Sequence, residues 1–152
     1  MKTLKLGILC LIVIPLTLGL GNAHDGKQKR ARWADVECLA KNIYHESRNQ
    51  PLEGQIAVAQ VTLNRVASKQ FQSTVCAVVY APSQFSWTLD KRKRVRDQKA
   101  WQVSISIARA VLTQSVKIPK FPALYFHTTQ VNPRWNRSKK VLAKIGDHVF
   151  YS

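Results

Sequence analysis

Apolar residues recur at helical spacing in the first half of the chain. One stripe, with spacings of 3, 4 and 3 residues, predicts a helix that begins at Trp33 and ends before Pro51. The residues on this stripe are Val36, Leu39, Ile43 and Glu46. A second helix is predicted over residues 52–67, where apolar residues lie on most sides, as is typical of an element buried in the centre of a domain.

The second half of the chain changes from helical to strand-like patterning. Residues 68–97 are irregular, and an amphipathic helix is predicted over residues 98–114. Two β-like stretches follow at residues 123–129 and 147–151, separated by 17 loop-like residues. The sequence therefore predicts an α+β fold, with helices first and a small antiparallel β-hairpin near the C-terminus.

The N-terminus has the pattern of an export signal. Two lysines precede a mostly apolar run over residues 6–21, and small residues stand at Gly21 and Ala23, the spacing of a signal-peptidase site. The run is shorter than the ~20 residues of a membrane helix and contains Pro15. We predict a signal peptide over residues 1–23, with a retained or releasable membrane anchor as the alternative.

The rest of the chain divides into a short spacer and one domain. Residues 24–32 are polar and basic, which predicts a mobile basic linker, and residues 33–152 are predicted to form a single domain. Cleavage after Ala23 leaves 129 residues, enough for one compact core. After residue 24 no apolar run is long enough to cross a bilayer.

The composition describes a basic, folded protein. Of 152 residues, 24 are Lys or Arg and 8 are Asp or Glu, a net charge of +16, which becomes +14 without the two lysines of the leader. At 45% hydrophobic, with 6 Gly and 6 Pro, the chain is neither disordered throughout nor collagen-like.

The positive charge is concentrated in two places, residues 91–96 and the pair at 139–140. Such runs attract polyanions. An exported protein without a nucleic-acid motif is expected to meet anionic cell-envelope polymers or a membrane surface rather than a specific nucleic acid. The alternative is a solvated face that only maintains solubility.

Three cysteines are present, and one of them, Cys10, lies in the leader. The remaining pair, Cys38 and Cys76, in an exported domain predicts one disulfide, with two buried free thiols as the alternative. The disulfide would close a loop of roughly 38 residues and stabilise the fold by about 2–4 kcal/mol.

Glu46 is the candidate for catalysis. A carboxylate on the apolar stripe of a helix either has a partner or has a pKa raised by desolvation. A raised pKa allows a Glu to hold a proton near neutral pH and to donate it to a leaving group, as glycosidic-bond cleavage requires. The alternative is a Glu at a helix end that pairs with neighbouring Arg48.

Histidines raise the question of a metal site. His45 and Glu46 begin like a zinc-protease helix, but the fourth position after His45 is Asn49, so the second ligand of that motif is missing. His45, His127 and His148 could still converge on zinc from separate elements. Lone histidines on strands are more often scaffold or substrate contacts, so we predict no metal and no cofactor.

Three blocks of the sequence, spread over residues 33–151, occur in an order found in one known family. The first block spans residues 37–79 and contains ECLAKNIYHESR, EGQIAVAQVTLNRV and TVCAVV, the second is QFSW at residues 84–87, and the third is IGDHVFY at residues 145–151. Together they resemble the SleB/CwlJ cell-wall hydrolases. This resemblance implies a lysozyme-like fold that acts on peptidoglycan, with Glu46 as the catalytic acid. The chain has Ser47 where the family usually has Ala, a small change beside the acid.

The resemblance leaves the reaction open among several enzymes. A lytic transglycosylase cleaves the glycan strand between N-acetylmuramic acid and N-acetylglucosamine with one Glu as acid and base. A muramidase usually adds a second carboxylate. Glu53, Asp90 and Asp147 are the candidates, and no sequence argument separates them, which favours the transglycosylase. The alternatives are an N-acetylmuramoyl-L-alanine amidase and a non-catalytic cationic wall-binding protein.

Other polar and aromatic residues are candidates for the substrate groove, each with a purely structural role as the alternative. Loop residues suit hydrogen bonding and stacking on sugars, alternate residues of the first strand share one face, and one polar residue interrupts the apolar second helix. The predicted substrate-binding residues are Asn64, Gln84, Ser86, Trp87, Tyr125, His127 and His148. Trp33, Trp101 and Trp135 are assigned to packing.

The expected setting follows from the leader and the proposed chemistry. We expect an exported monomer, periplasmic or secreted, or tethered to the membrane before release, with peptidoglycan glycan strands as its partner. One small catalytic domain without a wall-binding repeat fits a phage lysin or a bacterial housekeeping enzyme better than a spore enzyme.

Overall fold

The structure is a computed structural model that describes residues 21–90, 92–115 and 117–152. Most of the predicted signal peptide, residues 1–20 with Cys10, lies outside the described residues. In the described part, helices come first and a small sheet follows. The elements are α1 (Gly21–Ser47), α2 (Leu52–Ala67), α3 (Val75–Val79), α4 (Gln98–Thr113), β1 (Tyr125–Thr128), β2 (Val141–Ile145) and β3 (His148–Tyr151), with 3-10 turns at Ser86–Leu89 and Arg134–Ser138.

Helix α1 buries the predicted stripe. Leu39 and Ile43 are fully buried and Val36 is 8% exposed, so the apolar side of the helix faces the core and carries Glu46 towards its end. The helix ends at Ser47, whose hydroxyl donates to the carbonyl oxygen of Ile43.

The start of α1 differs from the prediction. The helix begins at Gly21 rather than Trp33, so residues 24–32 are helical, and their role as a mobile basic linker stays a prediction. The sequence-based start rested on apolar periodicity, which the polar segment 24–32 lacks although its residues include good helix formers. No helix in the described part of the chain has the length and hydropathy that crossing a membrane requires.

Helix α2 is the central element, as its all-round apolar pattern predicts. Its buried side chains include Ala57, Val58, Ala59 and Val61, and it contacts α1, α3 and α4. The predicted range of residues 52–67 agrees with the structure. Helix α4 ends one residue before the predicted bound, because Gln114 takes a left-handed conformation with φ of 52° and terminates the helix.

One disulfide links α1 to α3. Cys38 and Cys76 are joined with an S–S distance of 2.07 Å, which confirms the predicted pair. The bond ties the middle of α1 to a helix of only five residues, which is too short to be stable on its own. The segment between α2 and α4 is therefore held against the core.

The sheet has three antiparallel strands in the order β1-β3-β2, not the predicted pair. The predicted antiparallel pairing of the first stretch with the last is present, with Tyr125 opposite Tyr151 and Thr128 opposite His148. Strand β2 was missed because it is five residues long, has an irregular register and begins directly after a pair of lysines.

The turn between β2 and β3 joins the sheet to the end of α1. Gly146 has a φ of +57°, a conformation that favours glycine. The next residue, Asp147, donates its backbone N–H to Oε1 of Gln50 at 2.8 Å and accepts from Nε2 of Gln50 at 3.1 Å. These two hydrogen bonds fix the sheet beside the region that carries Glu46.

Candidate active site

Glu46 lies on the wall of an open cleft at the end of α1. The cleft has a volume of about 720 Å³ and lies between α1, the 3-10 turn at Ser86–Leu89 and the end of β1. Besides Glu46, its lining includes Tyr44, His45, Ser86, Trp87 and Thr128. The structure thus brings two of the predicted substrate contacts, Ser86 and Trp87, to the same cleft as Glu46, and their binding role stays a prediction.

Burial changes the acid–base behaviour of Glu46. Desolvation raises its pKa from 4.5 to about 7, and the positive charge of Arg65 acts in the opposite direction. A carboxyl group with this pKa carries its proton on about half of the molecules at pH 7. The group therefore combines two properties that a general acid needs, access to the cleft and a proton to donate at neutral pH.

Arg65, on α2, is a buried cation close to Glu46. It is 6% exposed, its Nε donates to the carbonyl oxygen of Leu124 at 2.8 Å, and its Nη1 is buried without a hydrogen-bond partner among the described residues. The guanidinium lies over the rings of Phe71 and Phe85. Burial lowers the pKa of Arg65 to about 10, and the charge of Glu46 is one of the influences that oppose this. Arg65 is thus still charged at neutral pH and favours the ionised form of Glu46.

Trp87 is held rigidly in the cleft wall. The ring of His45 stacks on it, with centroids 4.5 Å apart and planes at 21°. The indole Nε1 donates to Oδ1 of Asn42 at 3.3 Å, and Nδ2 of the fully buried Asn42 donates to Oγ1 of Thr62 at 3.2 Å. Trp87 itself is 9% exposed and belongs to the core, so this chain of contacts fixes the ring of His45, which lies over Trp87 and lines the cleft.

A second recess, of about 560 Å³, is lined by Arg65, the cation whose charge acts on Glu46. Two predicted substrate contacts, Gln84 and Tyr125, line this recess and not the cleft of Glu46, and their binding role stays a prediction. The amine of Lys139 lies 3.9 Å from the centroid of the Tyr125 ring. The recess therefore offers amide and aromatic groups beside a buried cation.

His127 and His148 lie on opposite faces of the sheet. His127 Nδ1 donates to the carbonyl oxygen of Thr128, and its Nε2 lies 2.7 Å from the hydroxyl of Tyr151, so its ring is occupied by neighbours. His148 is 1% exposed and packs against Phe126 on the core side.

His127 and His148 are not among the residues that line the cleft of Glu46, and their role as substrate contacts stays a prediction. Burial lowers the pKa of His148, which keeps its imidazole neutral in the core. The two histidines and His45 do not converge, and the described residues contain no group of three His, Cys, Asp or Glu placed to hold a metal ion.

Asn64 also has a structural position. Its Nδ2 donates to the carbonyl oxygens of Phe121 and Ala123, at 2.7 and 2.8 Å, and so holds the segment that leads into β1. It lines a separate recess between α2 and residues 114–122, not the Glu46 cleft. Asn64 therefore helps to place β1, and its role as a substrate contact stays a prediction.

Of the three candidate second carboxylates, only Asp90 lines the Glu46 cleft. Its Oδ1 accepts from the backbone N and from Nε of Arg92, at 3.0 and 3.1 Å, and these bonds lower its pKa. Asp147 is engaged with Gln50, and Glu53 is exposed in the first turn of α2.

Five cationic side chains line the same cleft, and sequence reasoning missed their position. We call them the cationic wall: Arg48, Arg92, Lys93, Arg94 and Arg96. The run at residues 91–96 is visible in the sequence, but its proximity to Glu46 depends on how the loop before α4 returns to α1. Arg65 was also missed as a neighbour of Glu46. The feature that could have revealed Arg65 is its charge within an otherwise apolar stretch of α2.

Comparisons with known proteins agree with this geometry. The sequence model of the cell wall hydrolase family matches residues 49–151, a range that begins just after Glu46. The spore cortex-lytic enzymes of Bacillus cereus and Bacillus subtilis are 32% and 31% identical over 119 and 120 residues. These alignments cover 76% of this chain but 43% and 37% of those proteins, so the chain spans less than half the length of these curated relatives.

Solved structures give the same result for the fold. The catalytic domain of the Bacillus cereus SleB protein superposes with a TM-score of 0.63 at 30% identity, covering 79% of this chain and 91% of that one. The catalytic domain of the germination-specific lytic transglycosylase SleB from Bacillus anthracis also gives a TM-score of 0.63 at 30% identity, with 78% and 93% covered. The predicted α+β, lysozyme-like fold is confirmed.

Proposed function

This chain belongs to the cell wall hydrolase family, and from that premise we propose that it cleaves the glycan strand of peptidoglycan as a lytic transglycosylase. The bond is the one from N-acetylmuramic acid to N-acetylglucosamine, and Glu46 is the single acid and base. The observation that carries the proposal is the position of Glu46, which opens on a cleft and has a pKa of about 7.

The proposed reaction needs one carboxyl group and no water. Protonated Glu46 donates its proton to the glycosidic oxygen, the bond from that oxygen to the muramoyl C1 breaks, and the N-acetylglucosamine portion leaves with a free 4-hydroxyl group. The muramoyl C6 hydroxyl then attacks C1 and gives its proton to the Glu46 carboxylate. This closes a 1,6-anhydro ring and returns Glu46 to its protonated state.

Two further observations support the proposal. The ring of His45, which is stacked on the buried and hydrogen-bonded Trp87, provides a fixed aromatic surface in the cleft of the acid, which suits a sugar ring. One solved relative, the Bacillus anthracis SleB catalytic domain, is described as a lytic transglycosylase. That description belongs to the relative and supports the same chemistry in this chain.

A second candidate, a hydrolytic muramidase, is favoured by one observation. Asp90 lines the cleft of Glu46, and its lowered pKa keeps it ionised, as a nucleophile or a base for water must be. Against this, the hydrogen bonds from Arg92 occupy one oxygen of Asp90. The products separate the two reactions, since only the transglycosylase leaves anhydromuramoyl ends.

The test is mass spectrometry of fragments that the purified protein releases from peptidoglycan, compared with Glu46→Gln and Asp90→Asn. We expect anhydromuramoyl fragments from the parent and from Asp90→Asn, and none from a folded, wall-bound Glu46→Gln. Hydrated reducing ends that disappear in Asp90→Asn would establish the muramidase. Free peptides with intact glycan would establish the amidase, and binding without fragments would establish a wall-binding protein.

We also propose that the chain is exported through its N-terminal leader to the periplasm or the exterior, with a releasable anchor as the alternative. The supporting feature is the sequence of residues 1–23. Expression in a bacterial host followed by N-terminal sequencing tests this. A chain that begins at residue 24 in the exported fraction supports cleavage, and an intact chain in the membrane fraction supports the anchor.

A further inference from the structure

The cationic wall gives the Glu46 cleft a strong excess of positive charge. Its five cations face only two carboxyl groups on the same cleft, Glu46 and Asp90. Of the five, only Arg92 lies within ion-pairing distance of a carboxylate in the described part of the chain, at 3.1 Å from Asp90. The other four therefore present their charge to whatever occupies the cleft.

The backbone of the wall is anchored to α1. The hydroxyl of Tyr44, a residue that is 3% exposed, accepts from the backbone N–H groups of Arg96 and Asp97 at 3.1 and 3.0 Å. At the other end of the loop, the backbone N–H of Lys93 donates to the carbonyl oxygen of Asp90 at 2.9 Å. The loop that carries these cations is thus tied to α1 at its Arg96 end and makes a tight turn after Asp90 at its start.

Arg48, at the end of α1, is also held by Tyr44. Its Nη1 donates to the carbonyl oxygen of Tyr44 at 3.1 Å, and its guanidinium lies 4.8 Å from the centroid of the Tyr44 ring. Tyr44 therefore organises cations from α1 and from the loop around one cleft. A charged surface that only maintained solubility would need neither this anchoring nor this position.

The substrate of the proposed reaction carries negative charge at the matching place. Each muramoyl unit of peptidoglycan bears a lactyl group, and the stem peptide attached to it ends in free carboxylates, so anionic groups flank the scissile bond. Resting on the proposed function, we propose that the cationic wall binds the carboxylates of the stem peptides, which makes peptide-bearing glycan the preferred substrate. Charge complementarity of this kind raises association rates and selects among partners.

The experiment compares two forms of one peptidoglycan preparation, native and with its carboxyl groups converted to carboxamides. The variant combines Lys93→Gln, Arg94→Gln and Arg96→Gln. Its matched control neutralises three exposed lysines that do not line the cleft. These are Lys69, Lys120 and Lys144.

On native peptidoglycan we expect kcat/KM of the triple variant of the cationic wall to fall roughly tenfold, through KM, because three exposed ion pairs with the substrate are lost together. The control should stay within about twofold, since its charges lie away from the cleft. On peptidoglycan with carboxamide groups, kcat/KM of the parent should fall by the same factor, so that the parent and the triple variant have equal kcat/KM. Raising the salt concentration should reduce the difference on native wall.

Three results would overturn the inference. The parent protein could cleave native and carboxamide walls equally well, or the control variant could lose as much activity as the wall variant. In the third result, removing phosphate-bearing polymers from native peptidoglycan would abolish the difference in activity between the parent and the triple variant. The cationic wall would then bind phosphate rather than carboxylate groups.

A binding measurement separates this inference from the proposed function. Retention of Glu46→Gln on the two walls reports charge recognition without catalysis, and the products of the parent protein report the reaction. Anhydromuramoyl products without a preference for native wall would remove the inference and leave the proposed function in place. Preferential binding of Glu46→Gln to native peptidoglycan, without anhydromuramoyl products from the parent, would support charge recognition by the cationic wall and remove the proposed reaction.

Discussion

Ionised Glu46 is expected to destabilise the fold, and the size of the effect follows from its pKa. The folded-state value of about 7 lies above the ordinary value of 4.5. Between these two pH values the folded protein binds the proton more tightly than the unfolded chain does. Stability therefore falls as pH rises from 4.5, and the full penalty is present above 7.

The rise in the pKa of Glu46 from 4.5 to about 7 corresponds to about 3 kcal/mol, since a difference of one in pKa is worth about 1.36 kcal/mol. Glu46→Gln is neutral at every pH and does not carry this penalty. We expect the free energy of unfolding of the variant, minus that of the parent protein, to increase by about 3 kcal/mol between pH 4 and pH 8. Other titrating groups are common to both proteins and cancel in the difference.

The assay is urea unfolding at a series of pH values, followed by fluorescence of the four tryptophans. The matched control is Glu53→Gln, the same substitution at an exposed carboxylate in the first turn of α2. A difference between Glu46→Gln and the parent that is the same at pH 4 and pH 8 would refute the reasoning. So would a variant that is less stable than the parent at pH 8.

Three shorter predictions concern activity and stability. The rate of wall cleavage should fall as pH rises through about 7, because Glu46 must be protonated to act as the acid, and a pH–rate profile of kcat/KM tests this. Replacing Cys38 and Cys76 by Ser should lower the free energy of unfolding by roughly 3–4 kcal/mol, since their 38-residue loop is then unconstrained, as urea unfolding would measure. Gly146→Ala should cost about 1–2 kcal/mol in the same assay, because the new Cβ would meet Oε1 of Gln50 at a positive φ.

The helices could be predicted because their signals are local. The bounds of α2 follow from Pro51 before it and from the end of its apolar pattern. The bounds of α4 follow, to within one residue, from apolar periodicity alone. Strand β2 has no such signal, because a five-residue strand with mixed exposure resembles a loop. Its pairing with β3 is set by the turn at Gly146, which docks on the end of α1.

The site could be predicted only as far as local sequence defines it. Glu46 was found because a charge on an apolar stripe is unusual within one helix. The position of Arg65 beside it depends on how α1 packs against α2, and that of the cationic wall depends on the hydroxyl of Tyr44. The burial of His148 could not be predicted, because alternation along a strand gives two faces without saying which one meets the core.

Glu46, which is half-buried, and Arg65, which is buried, carry charges whose effects on each other can be separated by experiment. Burial raises the pKa of Glu46 and lowers that of Arg65, and each charge opposes the shift of the other. Arg65→Gln removes the positive charge, so the pKa of Glu46 should rise above 7 and the basic limb of the pH–rate profile should move to higher pH. Arg65→Lys keeps the charge and should leave the limb close to its original position.

The shift distinguishes electrostatic tuning by Arg65 from a structural role. Arg65 also donates to the carbonyl oxygen of Leu124, and its loss is expected to lower stability and activity. A structural defect of that kind would reduce the rate at every pH without moving the limb. If Arg65→Gln is active and its limb stays where the parent has it, Arg65 only supports β1, and desolvation alone sets the acidity of Glu46.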